Sequence, residues 1–87
     1  MAEDKVTVVV RIKAKAGSEA RVKQELLNLL APTRVEQGCI NFDMHQAPND
    51  DSLFLFHENW ESEADLNGHF EAPHIKRWLE QAEELLV

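Results

Sequence analysis

The chain has 87 residues, which leaves room for one small domain, 1–87, and no second. Hydrophobic residues at 44% and charged residues at 29% exclude a disordered chain. Sixteen acidic against nine basic residues give a net charge of -7, which repels phosphate backbones and anionic lipid and argues against nucleic-acid or membrane partners.

A single cysteine, Cys39, forbids an intramolecular disulfide and fits a reducing compartment. Met1 to Lys5 carries no apolar signal core, and no stretch reaches transmembrane length, so a cytoplasmic protein is expected. A monomer of this size buries only roughly 60–65% of its unfolded surface. A homodimer is therefore expected, because association adds burial.

In chain order, Val6, Val8, Val10, Ile12 and Ala14 alternate with Thr7, Val9, Arg11, Lys13 and Lys15, a period of two that predicts a strand. Gly17-Ser18 ends it, with Ser18 as the N-cap of a helix whose stripe is Val22, Leu26, Leu29 and Leu30. Pro32 disfavours helix at Ala31 and predicts a break or kink there. Cys39 to Gln46 predicts a second strand and Leu53 to Trp60 a third. The turn chemistry of Pro48 to Ser52 joins them as an antiparallel hairpin.

Ser62 is the N-cap of a short helix carrying Leu66 and Phe70. Pro73 then begins another, with Ile75, Trp78, Leu79, Ala82, Leu85 and Leu86 on its apolar face. The order β-α-β-β-α(α) is that of an α+β, ferredoxin-like split βαβ fold with an antiparallel sheet. Its final strand is expected to be short or missing, since it should begin where the sequence stops, at Val87.

Glu58, Trp60, His69 and His74 fall close to one strand-to-helix junction. Glu58 shares a face with Phe54 and Phe56, an expensive place for a carboxylate without a partner. Paired with His69, it would orient that imidazole. A histidine titrates near neutrality and can take a phenolic proton, yet buried polar groups are most often simply satisfied ones. Trp60 is a flat wall for a planar ligand or plain core. Asn59 points to the opposite strand face. Phe42, Phe56, Phe70 and Trp78 line a pocket or fill the core. Asp43, His45 and His57 hint faintly at a metal, but no tight ligand cluster is visible and no metal is expected. Cys39 reads as a small buried residue rather than a nucleophile.

Gly38-Cys39 with Phe42, then Glu58-x-Trp60-x-Ser62, Leu66, His69 and Pro73-His74, resembles the antibiotic biosynthesis monooxygenase family, which includes small quinol monooxygenase-like proteins. The likeness runs from about Val6 to about Leu86 and lies in the order and spacing of short motifs. It implies a dimeric α+β barrel with a pocket between sheet and helices. It also implies oxygenation of electron-rich aromatics by molecular oxygen, with no flavin, heme, metal or other cofactor.

The resemblance implies His69 as base, aided by Glu58 or His74, with Trp60, Phe42, Phe56, Phe70, Trp78 and Asn59 around a small aromatic substrate. An isomerase of a small phosphorylated carbonyl compound on the same fold is one alternative, with Lys76 and Arg77 as the visible cations. A dimeric binding or stress-response module for a hydrophobic metabolite is another. Heme degradation fits less well, since Val6 to Lys15 holds no asparagine and the helix position of that branch's tryptophan is His69.

Overall fold

The computed structural model describes residues 4–87. Its elements are β1 (Val6–Lys13), α1 (Glu19–Leu27), α2 (Leu30–Arg34), β2 (Cys39–Ala47), β3 (Asp50–Trp60), α3 (Glu63–Phe70) and α4 (Pro73–Leu85). The sheet is antiparallel in the order β1-β3-β2, the split βαβ arrangement expected of a ferredoxin-like α+β fold. Among the described residues no helix is long and apolar enough to cross a membrane.

Period two along β3 does what it should. Ser52, Phe54, Phe56, Glu58 and Trp60 are buried beneath the helices, while the residues between them are only partly covered. The helices add Val22, Leu26 and Leu29 from α1 and the turn after it, and Ile75, Trp78 and Leu85 from α4. Together with Ile12, Phe42, Phe54 and Phe56 these form one core. Among the described residues the other sheet face, carrying Val9, Leu53 and Leu55, has no helix against it, and Val9 is exposed.

Three local expectations change. The helical break comes at Asn28–Leu29, and Pro32 lies inside the first turn of α2. Proline is tolerated there because first-turn N–H groups lack helical partners anyway. Ser18 precedes α1 but makes no side-chain cap, and the Glu19 carboxylate instead accepts from the Gly17 N–H at 2.9 Å. The hairpin turn tightens to Pro48-Asn49, because Asp50 accepts from the Ser52 N–H at 3.0 Å and pairs with Lys13 of β1 at 2.7 Å, which fixes Asp50–Ser52 as strand. The final strand is short or missing, as expected: among the described residues only an isolated bridge stands in its place. Leu86 pairs with Ala14 on the edge of β1 away from β3, and Val87 N–H donates to the Lys13 carbonyl at 2.9 Å.

Candidate active site

Three short elements converge above Trp60. Ser62 caps α3 through its hydroxyl, which accepts from the Asp65 N–H at 3.2 Å. The helix that follows buries His69, only 3% exposed, in its last turn. At Glu71–Ala72 the helix ends, and α4 starts afresh at Pro73. This interruption brings His74 back beside His69, with ring centroids 6.3 Å apart.

Between the two imidazoles lies Glu36, from the connection after α2. Its Oε2 is 2.8 Å from His69 Nδ1 and 3.1 Å from His74 Nε2. The hydroxyl of Thr33, fully buried in α2, is 2.9 Å from the same His74 nitrogen. A carboxylate only accepts, so each imidazole turns an N–H toward it. That leaves His69 Nε2 as the nitrogen with a free lone pair.

His69 Nε2 has no protein hydrogen bond among the described residues, and no buried side-chain nitrogen or oxygen there lacks a partner. It therefore meets open space. The space is a cavity of about 110 Å³ between the sheet and the two last helices, lined by Phe42, Phe56, Glu58, His69, Phe70 and Trp78 among others. Phe70 and Leu79, 48% and 55% exposed, mark its mouth together with Val10. Phe42 and Phe56 stack at 4.5 Å, and Phe42 meets the His69 ring edge-on at 5.5 Å. Two larger hollows lie elsewhere. One is a depression of about 410 Å³ bordered by Glu36, Asp65 and Gly68, and the other a groove of about 320 Å³ beside Arg11, His45 and Leu53.

Glu58 does not orient His69. It accepts from the indole Nε1 of Trp60 at 2.8 Å, and Glu36 does the orienting instead. Trp60 is fully buried, packed 4.7 Å from the His69 ring, and lies outside the cavity lining. Asn59 sits on the opposite sheet face, bonded to Thr7 and Asn41. Asp43, His45 and His57 do not gather as a ligand set, and Asp43 pairs with Arg34 at 3.2 Å. Among the described residues the side chains that could share a cation are Glu36, His69 and His74. Burial, and then the carboxylates of Glu36 and Glu58, push the Cys39 thiol up, which keeps it protonated. Lys76 is bound to Glu71 on the surface at 3.0 Å, away from the cavity.

Fold and site define a small ferredoxin-like domain with a buried, carboxylate-held histidine facing an aromatic-lined cavity. The family model for antibiotic biosynthesis monooxygenase matches residues 5–81, so the chain belongs to that family. A solved Pseudomonas aeruginosa protein, PA3566, superposes with a TM-score of 0.93 at 34% identity, over 99% of this chain and 87% of that one. A Mycobacterium tuberculosis protein named "Putative monooxygenase Rv0793" is 30% identical over 94% of this chain and 80% of its own length. Its solved structure gives a TM-score of 0.90, covering 97% of this chain and 85% of that one. An uncharacterised Synechocystis protein is 31% identical over 99% of this chain, which spans 58% of that relative's length.

Proposed function

We propose that this domain is a cofactor-independent monooxygenase that oxidises a small quinol or other hydroxyaromatic with molecular oxygen. The observation that carries it is His69. Its Nδ1–H is held by Glu36 while its Nε2 meets an aromatic-lined cavity. In the proposed reaction Nε2 removes a phenolic or enolic proton. Electron transfer from the anion to oxygen gives a radical pair, which recombines to form a C–O bond. The peroxide takes a proton back; loss of the hydrogen still on the oxygenated carbon then breaks the O–O bond, the C–H electron pair forms the carbonyl, and the departing hydroxide leaves with that proton as water. Oxygen is reduced to the level of water while the ring carbon is oxidised. The relative named as a monooxygenase points the same way.

The protein's share is orientation, exclusion of water and the proton. An apolar cavity of about 150 Å³ holds one benzene, so about 110 Å³ is scaled to a single ring whose edge emerges between Phe70 and Leu79. A phosphorylated substrate is disfavoured, because Glu58 lines this space and no lysine or arginine does. We further propose a homodimer built on the uncovered sheet face that carries Val9, Leu53 and Leu55.

Oxygen uptake with monocyclic quinols, naphthoquinols and anthrones, comparing the parent with His69→Ala, tests the reading. Uptake by the parent on a one-ring quinol, lost in the variant, is expected. Equal rates in both proteins, or no uptake on any hydroxyaromatic, would overturn it.

A further inference from the structure

We propose that Glu36, His69 and His74 form a binding site for a divalent transition-metal cation of the zinc type, on the side of His69 turned away from the cavity. The donor set is two imidazole nitrogens and one carboxylate oxygen, which suits zinc and its first-row neighbours. The ligand atoms all lie within 4.8 Å of one another. In a tetrahedral site with bonds of about 2.0–2.1 Å, neighbouring donors stand roughly 3.3 Å apart. Glu36 Oε2 already stands 2.8 Å from His69 Nδ1 and 3.1 Å from His74 Nε2, so these two edges open by a few tenths of an ångström to admit the ion, while the edge between the two imidazole nitrogens, at most 4.8 Å, settles to the same spacing. The Thr33 hydroxyl, 2.9 Å from His74 Nε2, stands where it can help fill or hydrogen-bond a fourth position.

Charge favours a cation. Among the described residues the Glu36 carboxylate has no lysine or arginine in ion-pair contact, only the two histidines. A bound metal ion would set a positive charge directly against it. The way in is also visible, since Glu36 borders the surface depression of about 410 Å³ that Asp65 lines as well.

Binding has a consequence for His69. A metal on Nδ1 takes the position of the proton now directed at Glu36, and the neutral ring then carries its single proton on Nε2. The lone pair that faces the cavity is then gone. The cation is an inhibitor of proton abstraction, not a participant in it. This consequence rests on the oxygenase reading, whereas the binding site does not.

Cobalt(II) reports the site directly, because four-coordinate Co²⁺ absorbs strongly in the visible. One equivalent added to the parent should give that band, and Zn²⁺ should displace it. Glu36→Gln and His74→Ala should each weaken binding on the order of a hundredfold, while His57→Ala, on the outer sheet face, should leave it unchanged. Absence of the band in the parent, or equal affinity in all four proteins, would overturn the site. Should either site variant fail to fold by circular dichroism, ¹⁵N spectra of the parent decide. Zinc must move the His69 and His74 ring nitrogens, and shifts confined to His45 and His57 overturn the proposal. Oxygen uptake with Zn²⁺ is assayed separately, so a protein that binds cobalt but oxidises nothing loses only the oxygenase reading.

Discussion

Glu36 and His69 meet at 2.8 Å although 33 positions separate them, and that contact decides which imidazole nitrogen faces the cavity. The carboxylate fixes both tautomer and tilt. Glu36→Gln keeps an acceptor but removes the charge that, in the proposed reaction, would stabilise an imidazolium formed on proton abstraction. The expected result is a fall in kcat of about 10²-fold with KM nearly unchanged, and His69→Ala should lose about 10²–10⁴-fold. Steady-state oxygen uptake checks both, provided the folded state is confirmed.

Trp60→Phe removes the N–H that satisfies Glu58 and leaves a carboxylate buried without that donor. A cost of about 2–3 kcal/mol is expected from urea unfolding. Combining it with Glu58→Leu should recover part of the loss, because both polar partners then disappear together.

The Asp50 carboxyl is held well below the usual range, first by the Lys13 ammonium and then by the Ser52 hydroxyl and N–H. Its folded value lies under the unfolded value of about 3.9. The stabilisation is therefore complete above that pH and is lost as pH falls through the depressed folded value. The melting-temperature gap between the parent and Asp50→Asn should be widest near neutrality and close only in strong acid. Salt should narrow it, since both partners are partly exposed.

Gly38 has φ +81, and a methyl group there would run into the Asp65 side chain. Gly38→Ala should cost about 2–4 kcal/mol, combining left-handed strain with overpacking. Thermal unfolding checks it, and Gly68→Ala, where nothing stands in the way, is the matched control.

Leu55 lies on the sheet face that no helix covers. If that face joins two copies, Leu55→Glu should convert a dimer to a monomer in sedimentation velocity. A parent that sediments as a monomer would exclude the proposed assembly.

The strands were legible because period two survives in short segments, as Phe54, Phe56 and Glu58 show. The restart of the helix at Pro73 was legible too, because proline suits a first turn. Glu36 was not. It sits in a connection with no periodicity, and its partners arrive from helices more than thirty positions away, so no local pattern marks it. Glu58 stood out instead because it interrupts an apolar face, and the Trp60 indole two residues on accounts for it. Pro32 misled for a related reason. Whether a proline breaks a helix depends on its place in the turn, and a boundary at Asn28 carries no strong signal.

The gap between α3 and α4 sets the angular spacing of the two rings. On one uninterrupted helix, five residues would place His74 roughly 140° around the axis from His69, and no single carboxylate would touch both. Shifting the stop by one position would swing the second ring by roughly a further 100°. Loop length here is a dial: chains that share every side chain of this cluster but count one residue more or fewer before the proline would lose the clamp together with the cavity wall that Ile75, Trp78 and Leu79 supply.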